Sequence, residues 1–430
     1  MVLVVRRRLA AKRASLAPQG TLLVGFFHPY CNDGGGGERV LWCGVEALRE
    51  ALLRRNVPAR FVIYTGDDAP AAAILAKTKT NFGIELPEGS VEFVRLTKRE
   101  WVEKRRWPRF TILGQSLGSM LLTWEALQLC PPHLFVDTMG YAFGYWLVRV
   151  FGGCKVGSYV HYPTVSTDMI GRVTSVHKMV YYRAFAWLYG FMGGGAHAVM
   201  VNSSWTEAHI RSLWRIPSRF FQEIELDVAQ RNNVIMSLAQ FREEKDHKLQ
   251  VRAFARLLQS PTFTRHAWAD SVRLLLVGGC RGPADQQLLD EVAALALEKG
   301  VVNRVDFLKN VGWDELRRLL GHSAVGLHTM WCEHFGIGVV QMMAAGLVTI
   351  AHNSGGPKTD IVEHGQTGFL AATEEEYAEC MERALVAKNE RPEAHTDMQR
   401  SARRSAQRFS DEVFAEQFAA CLVPLAVAAQ

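Results

Sequence analysis

Arg242 and Lys245 stand three positions apart in the run Gln240-Phe241-Arg242-Glu243-Glu244-Lys245-Asp246-His247. At a turn between a strand and a helix, two such cations can neutralise a diphosphate and stabilise it as a leaving group. The flanking Glu243 and Glu244 leave a second reading open, a surface ion-pair pattern. A second run extends from His328 to Gln341. In it Phe335, Gly336, Ile337 and Gly338 precede a helix, expected over Val339 to Ala345, whose N-terminal amides and dipole favour an anion. Glu333 lies in the loop before them and can accept hydrogen bonds from hydroxyls, whereas Gln341, eight residues on, falls within the helix.

A third run, His28 to Arg39, holds Gly34, Gly35, Gly36 and Gly37. Glycines let a backbone approach a ligand closely, and a helix start suits a phosphate or sugar. The run is neither a G-x-G-x-x-G fingerprint nor a Walker A loop, which weakens a dinucleotide reading. A fourth run, Asn353-Ser354-Gly355-Gly356-Pro357-Lys358-Thr359-Asp360, reads as another strand-to-helix turn with exposed amides.

These runs need a scaffold that brings loop ends together. Leu22 to Phe27 is a continuous apolar run, as expected of a strand buried on both faces in a parallel sheet. Further strands are expected at 61–65, 134–137, 157–161 and 199–202, and Ser204 to Glu207 has the spacing of a capping box. The alternation restarts with strands at 234–238, 273–277, 305–308, 324–327 and 348–351, separated by helical patterns. Two successive βα series predict an α/β protein of two doubly wound, Rossmann-like domains. In such sheets ligands bind beyond the carboxyl ends of the strands, where all four runs fall. The expected division is a basic leader at 1–20, a first domain at 21–216, a linker at 217–233, a second domain at 234–408 and a C-terminal helix at 409–430. Pro424 is expected to end that helix.

The 430 residues are 48% hydrophobic and 21% charged, which excludes a disordered chain, a collagen-like fibre and a polytopic membrane protein. The net charge of +6 is too mild to imply nucleic acid. The eight cysteines contain no C-x-x-C pair, so a disulfide scaffold and a zinc site are not expected. Arg6, Arg7, Arg8, Lys12 and Arg13 read as a disordered basic leader or a flank for an anionic membrane. A second basic stretch runs from Arg95 to Arg109, includes Arg105 and Arg106, and is interleaved with Trp101 and Trp107. It reads as a solvated face or a patch for a membrane surface or diphosphate lipid. The aromatic stretch Met179 to Val201 is interrupted by Arg183 and three glycines, and predicts a buried or interfacial helix rather than a spanning one.

In this order the four runs resemble glycosyltransferase family 4, together with Gly114 to Ser119, Gly157 to Thr164 with its His161-Tyr162-Pro163, and Leu327 to Trp331. The likeness is strongest to the members that mannosylate a dolichol-linked oligosaccharide, and extends from about residue 21 to about 424. It implies a GT-B fold, two Rossmann-like domains facing a central cleft, with the last helix returning to the first domain. It implies retaining α-1,2-mannosyl transfer from GDP-mannose to a dolichyl-diphosphate oligosaccharide, adding the fourth and fifth mannoses. The alternatives are a family member with a soluble acceptor and a non-catalytic relative that binds nucleotide-sugars. No metal or other cofactor is expected, GDP-mannose being a co-substrate.

By the same resemblance Arg242 and Lys245 hold the diphosphate, Glu333 meets the mannose hydroxyls and position 341 the ribose. His161 lies over the donor sugar, the Gly34–Gly37 loop approaches the phosphates, and Arg105, Arg106 and Tyr162 belong to the acceptor or lipid side. Expected partners are GDP-mannose, the lipid-linked acceptor, a membrane surface and other mannosyltransferases of the pathway, with no nucleic acid. The implied location is the cytosolic face of the endoplasmic reticulum membrane, reached peripherally or by an anchor outside this sequence. Three departures stand out: Gln341 replaces the family's second acid, Ala239 replaces a glycine before Gln240, and residues 216–230 bear no likeness to the family's linker.

Overall fold

Two parallel sheets organise the chain in a computed structural model that describes residues 2–18, 20–164, 175–203, 206, 209–210, 218–219, 231–409 and 411–429. The expected capping box at 204–207 and most of the linker lie outside the described residues. The chain divides into two units, Met1–Phe221 with Glu412–Gln430, and Gln222–Asp411.

The first unit holds strands β1 (Leu22–Phe27), β2 (Ala59–Thr65), β3 (Val91–Arg95), β4 (Leu134–Asp137), β5 (Lys155–Val160), β6 (Ala198–Val201) and β7 (Ser218–Arg219). Their order across the sheet is β3-β2-β1-β4-β5-β6-β7. All described pairings are parallel, so every connection is a crossover. The connecting helices are α2 (Gly36–Leu53), α3 (Ala71–Phe82), α4 (Thr111–Leu129), α5 (Tyr145–Val150) and α6 (Val176–Gly193), preceded by α1 (Val2–Leu16). β1 shows why the sheet is covered on both sides. Leu23 and Phe27 join a core with Leu122, Phe135, Phe185 and Tyr189, while Leu22, Val24 and Phe26 join one with Trp42, Leu48 and Phe418.

The second unit repeats the plan with β8 (Asn232–Leu238), β9 (Arg273–Gly278), β10 (Val305–Lys309), β11 (Ser323–Leu327), β12 (Val348–His352) and β13 (Gly368–Ala371). The order is β10-β9-β8-β11-β12-β13, again parallel. Helices α7 (His247–Gln259), α8 (Pro283–Glu298), α9 (Trp313–His322), α10 (Ile337–Ala344), α11 (Glu374–Glu390) and α12 (Pro392–Ala406) surround it. Helix α13 (Asp411–Val427) then packs on the first sheet, where Phe418 stacks on Phe26 with centroids 6.3 Å apart.

Two expectations are corrected. Residues 1–20 are not a disordered leader, because 2–16 form a helix. Arg13 fixes it to the chain by donating to the carbonyls of Pro131 (3.2 Å) and Gly152, and Lys12 donates to the carbonyl of Gln128 at 2.6 Å. Pro424 does not end the last helix, which continues to Val427. A proline there removes one donor and leaves its own carbonyl available, and the amide of Ala428 bonds to it at 3.1 Å.

Candidate functional site

In the second unit β8 and β11 are neighbours, with Ser237 opposite Leu327, so the segments that follow them emerge side by side. The segment after β8 is pinned before it reaches its cations. Phe241 is fully buried and stacks on His247 at 4.9 Å, and its amide bonds to the Gly279 carbonyl at 3.0 Å. Asp246, at φ +47°, caps α7 by accepting from the Leu249 amide at 3.0 Å. Between them Arg242 is exposed, without an ion pair among the described residues, whereas Lys245 is half-buried and paired with Glu333.

The Lys245 ammonium donates to the Glu333 carboxylate and lies 3.1 Å from the Met330 sulfur. His328 Nε2 reaches the same Glu333 oxygen at 3.1 Å. The other carboxylate oxygen accepts from the His334 amide, also at 3.1 Å. Burial alone would raise the Glu333 carboxyl, but the His328 hydrogen bond and the Lys245 charge outweigh it and hold the group well below the usual carboxylate range. Thr329 ties the two loops together: its hydroxyl donates to the carbonyls of Lys245 (2.8 Å) and Asp246 (3.1 Å) and accepts from Gln250 at 2.8 Å. His328 is held in turn by the Tyr377 hydroxyl on its carbonyl at 2.9 Å.

The glycines beside Glu333 have distinct uses. Gly336 caps α10 at φ +102°, a conformation that favours glycine. A Cβ on Gly338 would lie 2.6 Å from the Leu238 carbonyl, so the start of α10 rests directly on the end of β8. The structure thus brings Lys245, Glu333, Gly336 and Gly338 into one neighbourhood. Phe335 packs edge-on against Phe409 at 5.4 Å, Ile337 is exposed, and Gln341 is half-buried on the next turn.

Contrary to expectation, the Gly355-Gly356-Pro357 turn does not expose its amides. All three residues are buried, the Gly356 amide donates to the Glu333 carbonyl at 2.8 Å, and a side chain on Gly355 would overlap that carbonyl. The turn is a platform under the Glu333 loop.

In the first unit the glycine loop follows β1. Gly35 caps α2, and its amide donates to the carboxylate of Glu38 three residues on. His28 is buried, with Nδ1 at 2.7 Å from the Thr138 hydroxyl and Nε2 at 3.5 Å from Glu38. Burial opposes ionisation of Glu38, but His28 and the Gly35 amide hold its carboxyl below the ordinary value. His161, at the end of β5, comes to the same place: a Cβ on Gly37 would lie 3.6 Å from His161 Nε2 and 3.9 Å from His28 Cε1. Tyr162 beside it is exposed, as are Arg105 and Arg106. Arg106 lies over the Trp101 ring at 4.4 Å, and Arg105 pairs with Glu103 at 2.5 Å.

Two residues that sequence reasoning left without a role are central to this geometry. His28 was signalled by its place at a strand end with an acid at the third position of the next helix. His328 was signalled by its place at the end of β11. Among the described residues no group of His, Cys, Asp or Glu is arranged to hold a metal ion, and no helix is long and apolar enough to cross a membrane.

Comparison with known proteins matches residues 21–214 to the family described as ALG11 mannosyltransferase N-terminus, and residues 219–405 to Glycosyl transferases group 1. The chain is 44% identical to the GDP-Man:Man(3)GlcNAc(2)-PP-Dol alpha-1,2-mannosyltransferase of Xenopus laevis, over 94% of this chain and 87% of that protein. It belongs to this mannosyltransferase family. The Homo sapiens member is 42% identical over 96% of this chain and 89% of its own, and the Dictyostelium discoideum member 42% over 94% and 84%. Among solved structures, sucrose-phosphate synthase from Thermosynechococcus elongatus superposes with a TM-score of 0.68 at 17% identity, over 95% of this chain and all of that one. Anabaena HepE in complex with UDP and glucose gives 0.65 at 15% identity, over 94% and 99%. These likenesses establish the GT-B, two-domain α/β fold of this mannosyltransferase-family chain.

Proposed function

We propose that this chain transfers mannose from GDP-mannose, with retention, to the oligosaccharide carried on dolichyl diphosphate, forming the α-1,2 links of the fourth and fifth mannoses in N-glycan precursor assembly. The observation that carries the reading is the cluster of Lys245, Glu333 and His328 beside the start of α10, in a chain whose relatives bear that activity in their names. The second unit takes the donor. Arg242, Lys245 and the amides at Gly336 and Gly338 stabilise the diphosphate, more strongly as the sugar–phosphate bond lengthens and charge collects on the departing oxygen. Glu333 is held ionised and aimed by His328, so it accepts from mannose hydroxyls. Gln341 bonds the ribose as a neutral partner. The first unit contributes the Gly34–Gly37 loop and His161, and Arg105, Arg106 and Tyr162 serve the lipid-linked acceptor. The acceptor hydroxyl attacks the face from which the diphosphate departs, which retains configuration without a protein nucleophile. No metal takes part, and the work is done at the cytosolic face of the endoplasmic reticulum membrane, alongside other mannosyltransferases.

The test is incubation of the purified protein with GDP-mannose and a trimannosyl diphosphate-lipid acceptor, reading product mass and linkage. Two added α-1,2-mannoses are expected. Transfer from UDP-glucose instead, or donor binding without any transfer, overturns the reading.

A further inference from the structure

The basic segment between β3 and α4 holds two kinds of cation. Lys98, Lys104, Arg105, Arg106 and Arg109 are exposed, whereas Arg95 and Arg99 are half-buried. A guanidinium withdrawn from water needs acceptors in the protein, and both arginines find them in other loops. Arg95 donates to the carbonyls of Asp67 and Ala69, in the loop after β2. Arg99 donates to the Asp67 carboxylate and, at 3.4 Å, to the Pro29 carbonyl. Its guanidinium lies 5.1 Å from the centroid of the Tyr30 ring.

β2 lies between β1 and β3 in the sheet, so the loops beyond their carboxyl ends are neighbours. Gly66 makes room for the joint. A Cβ there would lie 2.5 Å from Arg99 Cδ and 2.8 Å from Arg99 Cβ, so the arginine stem rests on bare backbone. The Gly66 amide bonds to the Pro29 carbonyl at 3.0 Å. The second oxygen of Asp67 accepts from the Asn32 amide at 3.0 Å and from the Thr65 hydroxyl at 3.2 Å. One carboxylate–guanidinium pair thus ties together the loops after β1, β2 and β3. It grips the first of them at Pro29 to Asn32, just before the Gly34–Gly37 run.

The rest of the basic segment is fixed to α4. Glu125, buried on that helix, accepts from the amides of Thr97 at 2.9 Å and Lys98 at 3.1 Å. The Gln115 side chain donates to the Val102 carbonyl at 2.7 Å, and the Trp107 indole to the Trp101 carbonyl at 2.8 Å. Arg105 and Arg106 lie between these contacts, so they take their place from the turn that Arg99 begins.

We propose that Arg99 is a positioning residue for the transfer: joined to Asp67 and seated on Gly66, it fixes the glycine loop relative to Arg105 and Arg106. A planar guanidinium can meet a carboxylate, a carbonyl and an aromatic face at once, which a lysine ammonium cannot. The inference deepens the proposed lipid-linked acceptor reading and rests on it for the effect on turnover, but not for the joint itself.

The experiment compares Arg99→Ala, Arg99→Lys and Gly66→Ala with the wild-type full chain, using GDP-mannose and the trimannosyl diphosphate-lipid acceptor. Arg99→Ala should raise the acceptor KM and lower kcat/KM for the acceptor by about tenfold, the cost of a misplaced loop. The Kd of GDP-mannose by calorimetry should stay within about twofold, because distant sites act independently. Arg99→Lys should recover part of the loss. Gly66→Ala, which alters no charge, should act in the same direction as Arg99→Ala. Arg54→Ala, at an exposed arginine paired with Glu50 at the end of α2, should have no effect. Hydrogen exchange over residues 28–39 should quicken in Arg99→Ala and Gly66→Ala, a readout that needs no turnover. If the wild type transfers no mannose, the functional reading fails by itself and the exchange difference still decides the joint. Unchanged acceptor KM in folded Arg99→Ala, or unchanged exchange, overturns the inference. So does a parallel loss of melting temperature, acceptor use and donor affinity, which would mark a merely structural contact.

Discussion

The Lys245 ammonium is bonded to the Glu333 carboxylate although 88 positions separate them in the chain. They meet because β8 and β11 are adjacent parallel strands and both residues lie beyond the carboxyl ends. Replacing Lys245 by Ala removes the donor proposed to grip the departing diphosphate and leaves Glu333 with His328 and the His334 amide. Turnover should fall at least about tenfold, the effect of about 1.4 kcal/mol of transition-state stabilisation. Unchanged turnover in protein that melts normally would refute the assignment.

Gln341→Glu should restore a charged acceptor for ribose hydroxyls. Donor affinity is expected to rise by about 1 kcal/mol, or roughly fivefold, read as the dissociation constant of GDP-mannose by calorimetry. Equal or weaker binding would remove position 341 from the ribose.

Gly338→Ala places a methyl group 2.6 Å from the Leu238 carbonyl and forces α10 off the end of β8. A loss of about 1–3 kcal/mol in stability and a weaker donor complex should follow. Gly282→Ala, with nothing within 4 Å of the added carbon, is the matched control. Similar behaviour of the two variants would count against the close approach.

Burial pushes His247 and His395 down to about 4, helped by His328 and Lys245 at the first and by Lys388 and Arg231 at the second. The unfolded chain takes up these protons near pH 6.5, but the folded chain resists until about 4. Stability is therefore complete above pH 6.5 and is lost as pH falls through that window, by on the order of 3 kcal/mol for each buried ring. Urea melts at neutral pH and pH 5 should show it. A flat profile, or one absent from the wild type and present in His395→Gln, would contradict the assignment.

Transfer should survive dialysis against excess EDTA if, as proposed, Arg242, Lys245 and helix amides meet the charge of the diphosphate. Loss of activity restored by magnesium or manganese would require a different account of the leaving group.

Much of this fold was legible because buried parallel strands are short continuous apolar runs, as at Leu22–Phe27 and Arg273–Gly278. Strand β3 was not, since Val91 alone in Val91–Arg95 is buried and the alternation of charge hides an edge strand. Helix α1 was missed because it buries only Leu9 and is held by polar contacts to carbonyls, which leave no apolar period. At the site, Lys245 and Glu333 could be nominated from residue type and loop position. Their pairing depends on β11 crossing over to lie beside β8, a long-range choice that no local window records. The Gly355–Gly356 turn was misassigned for the same reason: the Glu333 carbonyl that fills the space of a side chain there comes from another loop.

The last helix has a consequence for biosynthesis. Phe414, Phe418 and Leu422 complete a core that Leu22, Trp42 and Phe61 begin. The first half of the polypeptide therefore leaves the ribosome with its aromatic layer open on one side. It can close only after the intervening residues of the second unit have been made, so completion of the first unit waits for the end of translation.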